Sequence, residues 1–414
     1  MIRAACTIVS LNYLSYARTV CESYLELHPD HTFYVLLVDR IPNDVDLRRE
    51  KFQIVLVEEL GIANFESIAF KYDILEFNTA VKPTFLKSLL SRGVDELIYF
   101  DPDILICSRV NLIFDELSTN SIVLIPHALS PNDGAPNVES MLLFSGAFNL
   151  GFIAISNSAE TSRFLNWWEN RCLTLGYQER QSGLFVDQKW INLVPCFFDS
   201  VLVLKNPGCN VAYWNLHERT LEKTEKSWIV NGHTPLVFFH FSGVSVDGGN
   251  IISKGYDQFD LISRPDLKEI FEIYRSHLIR NGMRDMRHCS YAFGKFSNGQ
   301  LINKLQRSLF SANLDRFSNS NPFDASGPFY AWAKKNHLQD TQESAGKYNR
   351  HTINKADPRV RSINSMLRLA LRVLGADRYT VLMKYLSYIS VLRNQKDIFN
   401  QSADCSDLKG SGRP

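Results

Sequence analysis

Residues 97–106 read LIYFDPDILI, an apolar run that is broken by Asp101-Pro102-Asp103 and then resumes. Two carboxylates this close repel each other, and at the end of a buried strand a divalent cation with oxygen ligands relieves that repulsion. Pro102 fixes the backbone angle between them and cannot donate to a strand ladder. A hard cation held by one or two carboxylates completes its shell with water and phosphate oxygens, so the spacing points to a metal-bound nucleoside diphosphate. The competing reading is turn chemistry alone, which also favours Asp and Pro.

Upstream of this stretch, short runs rich in branched and aromatic residues at 4–10, 33–38, 53–57 and 96–100 alternate with segments of helical periodicity, the first at 13–27. That order predicts parallel strands joined by crossover helices. Ligands in such sheets lie beyond the carboxyl ends of the strands. Asn12 and Tyr13 are therefore candidates for base contact and Asp39 for the base or ribose, with helix capping or solvation as the alternative for Asp39. Neither Gly-x-Gly-x-x-Gly nor Gly-x-x-x-x-Gly-Lys-Ser/Thr occurs, so the two glycine-rich phosphate-binding modes lack their fingerprints.

Composition narrows the classes. The 414 residues suit two or three domains, and 45% hydrophobic residues are ample for a core. The formal net charge of +1 gives no global attraction to nucleic acid. Eight cysteines without a Cys-x-x-Cys pair argue against a zinc site or a disulfide framework. The N-terminal apolar stretch reads as a first strand rather than a secretory signal, and no window is long and apolar enough to span a bilayer. A cytoplasmic setting is expected.

Three further groups follow the carboxylates. Residues 147–155, AFNLGFIAI, form a strand pattern interrupted by Asn149 and Gly151, and glycine there marks close approach or a bulge. Residues 159–173 predict an amphipathic helix whose Phe164, Trp167 and Trp168 are core candidates. Asp187 and Gln188 stand side by side at a predicted helix start, where a carboxylate also serves as a cap. Residues 237–243, VFFHFSG, form a strand whose single polar side chain is His240, a ligand or a hydrogen-bonded core residue. Between them, residues 206–219 carry Tyr213, Trp214 and Asn215, flat faces and amides that suit a sugar, or packing beneath a loop.

Taken in order, Tyr99-Phe100-Asp101-Pro102-Asp103, Phe148-Asn149-Leu150-Gly151, Asp187-Gln188 with Asn192, and His240-Phe241-Ser242-Gly243 resemble the motifs of GT-A glycosyltransferases of the family 8 type, the group of glycogenins and lipopolysaccharide galactosyltransferases. The resemblance runs over residues 4–255. It implies an α/β fold, a Rossmann-like nucleotide-sugar-binding domain with a mixed central sheet, followed by a mainly helical C-terminal region. The implied domains are 1–258 for catalysis and 259–400 for the helical part, with a tail at 401–414. The resemblance also implies that Asp101, Asp103 and His240 hold Mn²⁺ or Mg²⁺ on the diphosphate of a sugar donor, a UDP-sugar first. Asp187 and Gln188 would face the sugar, with Asn149 and Gly243 in the donor site. Lys254, which follows His240 later than the family's lysine does, and Lys82, in the helix before the metal strand, are candidate phosphate contacts; a solvated lysine is the alternative for Lys82.

The expected chemistry is substitution at an anomeric carbon with a glycan, lipid-linked or protein acceptor, as in polysaccharide biosynthesis. Retention needs no strong protein base; with Asp187 opposite the leaving group as a base, the reaction inverts. Gln188 is a poor nucleophile and fits transition-state polarisation. A sugar nucleotidyltransferase would carry a glycine-rich basic loop where Ser10-Leu11-Asn12-Tyr13 stands, and a non-catalytic carbohydrate-binding protein would not need a complete metal triad. Beyond residue 260 the chain turns helical, with a helix at 266–279 and linker material at 339–355. Residues 359–393 hold seven basic residues and one acidic residue, Asp377, among Leu, Val, Met and Tyr. Such a segment either lies on an anionic membrane, at its inner face, or packs as a helical pair.

Overall fold

The computed structural model describes residues 1–43, 45–225, 227–254, 256–339 and 357–400. The expected tail at 401–414 and nearly all of the expected linker at 339–355 lie outside these residues. The chain divides into two compact units, residues 1–65 with 74–294, and residues 66–73 with 295 onward. The first therefore extends past the boundary expected at 258, because the helix Lys268–Arg280 buries Ile270, Phe271, Tyr274 and Leu278 in a cluster with Phe239 and Phe241 of that unit.

Among the described residues the main sheet of the first unit has seven strands. Strands β1 (Arg3–Val9), β2 (Thr32–Leu37), β3 (Gln53–Leu56) and β4 (Glu96–Phe100) run parallel, with β1 between β2 and β4. This is the arrangement predicted from the first hundred residues, with strand ends within two residues of the expected ones. β1 and β4 are almost continuously buried, which is why their sequences are mostly apolar rather than alternating, with Thr7 the one polar residue inside β1 and Glu96 at the start of β4. The crossover helix Leu14–Leu27 packs Leu14, Ala17, Val20, Cys21 and Tyr24 into the core.

The sheet then becomes mixed. Beyond β4, β5 (Ile104–Ile106) leaves it; β6 (Ile122–Leu124) and β7 (Phe152–Ser156) follow, and β7 runs antiparallel to both β4 and β6. The strand expected over 147–155 is confined to β7, since residues before it turn instead: Phe148 makes only an isolated bridge to Pro126. The mixed central sheet and the helical C-terminal region agree with the expected fold class.

The Asp-Pro-Asp break decides the placement of the site. Ile104 N–H bonds back to the Asp101 carbonyl at 3.2 Å, turning the chain out of the sheet. β5 then pairs antiparallel with the strand Phe238–His240, His240 opposite Ile104. Phe100, Phe152 and Phe238 pack at centroid distances of 5.4–5.8 Å beneath this junction. Each buried phenyl contributes about 2–3 kcal/mol of burial, so the junction is anchored from below.

The second unit has its own core, with Phe70 surrounded by Phe296, Phe310, Phe323 and Phe329. The buried Arg307 guanidinium donates to the carbonyls of Ala69, Phe70 and Tyr72, which satisfies acceptors at and beyond the end of the helix Phe65–Lys71. The long helix Pro358–Ile389 also belongs to this unit.

Candidate metal and nucleotide-sugar site

A cavity of about 470 Å³ opens in the first unit at the carboxyl ends of β1 and β4. That volume is in the range of sites that enclose a small-molecule ligand. Of the residues expected to act there, Asn12, Tyr13, Lys82, Asp101, Asp103, Asn149, Asp187, Gln188, Tyr213, Trp214 and His240 all line it.

Asp101, Asp103 and His240 each offer a ligand atom, and these atoms lie within 4.8 Å of one another. His240 Nε2 is 3.0 Å from Asp103 Oδ1 and 3.9 Å from Asp101 Oδ2. On the other side of the ring, Nδ1 meets the amide oxygens of Asn149 at 3.2 Å and Asn210 at 3.3 Å. Two amide oxygens at Nδ1 favour a proton there, which leaves Nε2, facing the carboxylates, as the atom that takes up either a proton or a metal. Burial disfavours a charged ring, but Asp103 and Asp101 outweigh it and hold the His240 pKa above its ordinary value. The nitrogen thus sits in a field that attracts positive charge. Lys82 pairs with Asp187 and Asp101 while His240 stands against Asp103, so three carboxylates and an imidazole nitrogen gather here, and the donor set fits a divalent cation.

The close packing requires Gly151. A Cβ there would fall 2.4 Å from His240 Cε1 and 2.8 Å from Asn149 Oδ1. The interruption of the 147–155 pattern by glycine is thereby explained as close approach rather than a bulge.

Lys82 is not a solvated lysine. Its side chain is 2% exposed and its Nζ lies 2.7 Å from Asp187 Oδ2, 3.8 Å from Asp101 Oδ1 and 2.8 Å from the Leu150 carbonyl. It also stands 4.2 Å over the Tyr99 ring, whose hydroxyl donates to Asp101 Oδ1 at 2.6 Å. Burial lowers an ammonium's pKa, yet the two carboxylates reverse that and keep Lys82 above its ordinary value.

Asp187 follows Val186, whose φ of +42° is a rare conformation for a β-branched residue. The turn is held by the Val186 N–H bond to the Tyr177 carbonyl at 3.0 Å, and it directs Asp187 inward ahead of the short 3₁₀ helix Lys189–Leu193. Asp187 is therefore an internal ion-pair partner and not a helix cap. Gln188 is fully oriented: its Oε1 accepts from Leu150 N–H at 2.9 Å and its Nε2 donates to the Ser145 carbonyl at 3.0 Å.

Trp214 is 6% exposed and meets the edges of His127 and His240 at 5.3 and 5.1 Å. It is both a wall of the cavity and a packed core side chain, which joins the two alternatives read from the sequence. Tyr13 is exposed and stacks on Tyr16 at 4.6 Å. The buried Asn12 Oδ1 has no hydrogen-bond partner among the described residues.

Four expected residues do not line the cavity. The Asp39 carboxylate accepts backbone N–H bonds from Leu11, Arg40 and Ala292 at 2.8–3.2 Å and thus ties three segments together. Asn215 is a loop staple, accepting from Ala212 N–H and donating to the His127 and Asn210 carbonyls. Gly243 turns at φ +71°, where a Cβ would meet Ser253 Oγ at 2.6 Å. Lys254 is exposed, and its N–H closes that turn on the Gly243 carbonyl at 2.9 Å.

Sequence reasoning missed His127 and the role of Asn210. Burial pushes the His127 pKa down to about 4, so its ring is neutral, and Asn149 Nδ2 meets its Nε2 at 3.3 Å. A polar residue just past a buried strand, in VLIPHAL, was the available signal. Asn210 sits at φ +57°, and only its fold partners reveal that its amide meets His240.

No family model matches the chain. It is 25% identical over 283 residues to the uncharacterized protein YfnF of Bacillus subtilis (strain 168), spanning 67% of this chain and 92% of YfnF. It is 27% identical over 247 residues to the uncharacterized protein YfnD of the same strain, spanning 58% of this chain and 77% of YfnD. Among solved structures it is similar to the galactosyltransferase LgtC in complex with donor and acceptor sugar analogs, at 15% identity over 66% of this chain and 95% of that one, with a TM-score of 0.39. It is also similar to the glycosyltransferase GlyE of Streptococcus pneumoniae TIGR4, at 16% identity over 75% and 74% of the two chains, with a TM-score of 0.39.

Proposed function

We propose that this chain is a metal-dependent glycosyltransferase that moves a sugar from a nucleoside diphosphate sugar, a UDP-sugar first, to a glycan, lipid-linked or protein acceptor with retention at the anomeric carbon. The observation that carries the reading is the convergence of Asp101, Asp103 and the amide-held His240 at the mouth of a strand-end cavity. Asp101, Asp103 and His240 would hold Mn²⁺ or Mg²⁺, which when bound supplies Lewis-acid stabilisation of the leaving diphosphate.

The chain's own residues do the rest. Tyr13 and the free Asn12 oxygen offer a stacking face and an acceptor to the base and ribose. Lys82 fixes Asp101 and Asp187 at once, so the metal ligand and the sugar-facing carboxylate keep a constant separation. Asp187 orients sugar hydroxyls. Burial holds its pKa above the ordinary carboxylate range, but its pairing with Lys82 at 2.7 Å turns the carboxylate to the ammonium rather than to an acceptor hydroxyl, and that orientation supports retention over inversion. Gln188, pinned by Leu150 N–H, presents an oriented amide dipole to the anomeric centre. Tyr213 and Trp214 form an aromatic wall for the sugar or acceptor. The reading places the protein in the cytoplasm; among the described residues its seven cysteines are free thiols.

The test is nucleoside diphosphate release from a panel of nucleotide sugars, with Mn²⁺ or with chelator, for the native chain and Asp103→Asn. Release from one donor that needs the metal and disappears in the variant is expected. Nucleotide binding without turnover of any donor would instead favour a carbohydrate-binding protein.

A further inference from the structure

The helix Pro358–Ile389 has 32 residues and not one of them is buried. Apolar side chains are nonetheless frequent on it: Met366 is 60% exposed, Val373 74% and Val381 66%. Singly exposed apolar residues are ordinary, but a contiguous set of this size marks a surface that meets something.

The pattern says what. Ile363, Leu367, Ala370 and Leu374 recur at helical spacing on one face, while Arg361, Arg368 and Arg372 recur at the same spacing two residues earlier, which places them on the opposite side. After Gly375, at φ +76° and ψ 167°, the helix changes direction, and Tyr379, Leu382 and Leu386 continue an apolar stripe. A core-packed helix would bury its apolar face, and this one leaves Ile363, Leu374 and Leu386 exposed and Leu367, Ala370, Tyr379 and Leu382 only half-buried, although its C-terminal end is secured. There Asn394 Nδ2 donates to the Tyr388 carbonyl and Gln395 Nε2 to the Ile389 carbonyl, at 2.9 and 2.8 Å.

We propose that this kinked helix lies in the plane of an anionic membrane surface, its apolar face among the acyl chains and its arginines against lipid phosphates. Three observations select a lipid surface over a second protein copy. The segment 359–393 holds seven basic residues against Asp377 alone, so two copies would repel and an anionic surface would attract. Tyrosines at 379, 385 and 388 add rings with an apolar body and a polar tip, suited to the headgroup boundary. No described helix is long and apolar enough to cross a membrane, which leaves the in-plane orientation. The inference does not depend on the transferase reading.

The experiment is flotation of the full chain with vesicles of phosphatidylglycerol and phosphatidylcholine, compared with phosphatidylcholine alone, and with no nucleotide sugar present. Binding to the anionic vesicles, weakened by raised salt, is expected. The triple variant Arg361→Glu, Arg368→Glu, Arg372→Glu is expected to lower the partition by more than about a hundredfold, with an unchanged melting temperature because all three side chains are exposed. Ile363→Ser with Leu374→Ser is expected to lower it at every lipid composition. Equal binding to neutral and anionic vesicles, no binding to either, or full binding by the triple variant would overturn the proposal. So would concentration-dependent self-association of the native chain that the two serine substitutions abolish without affecting vesicle binding. Donor turnover in the absence of vesicle binding would overturn this inference and leave the transferase reading intact.

Discussion

Lys82 and Asp187, more than a hundred residues apart in sequence, form an ion pair at 2.7 Å in which each side chain is only 2% exposed. Removing one partner strands the other charge in a dry setting, which typically costs 3–5 kcal/mol, whereas replacing both with apolar residues costs less. Lys82→Met and Asp187→Leu are each expected to lower unfolding free energy by about 3 kcal/mol or more, and the double variant by less than their sum. Urea denaturation of the four proteins checks this. Additive losses would mean the pair is not coupled.

Gly151→Ala would push a methyl into the His240 ring. Overpacking of this kind costs about 1–3 kcal/mol, and relief comes from moving either His240 or the β7 turn. Weaker Mn²⁺ binding by calorimetry is expected, with a folded far-UV spectrum retained. Unaltered metal affinity would show that the ring is not held by this contact.

Asn210 acts on the site through His240. Its backbone occupies a left-handed conformation, so Asn210→Gly removes the amide without straining the chain. Loss of such a supporting contact lowers metal affinity by about 10–100-fold, and that is the expected result by calorimetry, alongside a small change in melting temperature. A large loss of stability with native metal affinity would assign Asn210 a purely structural role.

His28 couples stability to pH. Its Nε2 accepts the Val110 N–H at 3.0 Å and so must be unprotonated. Burial first, then His31, Arg109 and Arg3, push its pKa down to about 4 from 6.5. The unfolded chain binds the proton more tightly, so this contribution is complete above pH 6.5 and is lost as pH falls toward 4. Roughly 2–3 kcal/mol should disappear across that window. His28→Gln keeps an acceptor for Val110 but does not titrate. Urea titrations at several pH values are expected to show a shallower slope for the variant than for the native chain. Parallel slopes would contradict the assignment.

The parallel strands β1 to β4 and the place of Asp101-Pro102-Asp103 at a strand end were legible from the residues alone, because buried parallel strands are written as mainly apolar runs and a proline between carboxylates breaks them visibly. The sequence also marked His240 as the odd polar residue of an apolar strand. Which residues share the cavity emerges only in the folded chain. Lys82 reads in its helix as a phosphate contact or a solvated residue and is seen as an internal counter-ion only when Asp187 packs against it. Asp39 and Asn215 have the side chains of ligand contacts, yet backbone groups claim them: the Leu11 and Ala292 N–H groups for Asp39, the neighbouring Ala212 N–H and the distant His127 carbonyl for Asn215. Local periodicity reports burial along one element. The pairing of charges and amides depends on which elements meet, and here that is set by the turn at Asp101 that carries β5 across to His240.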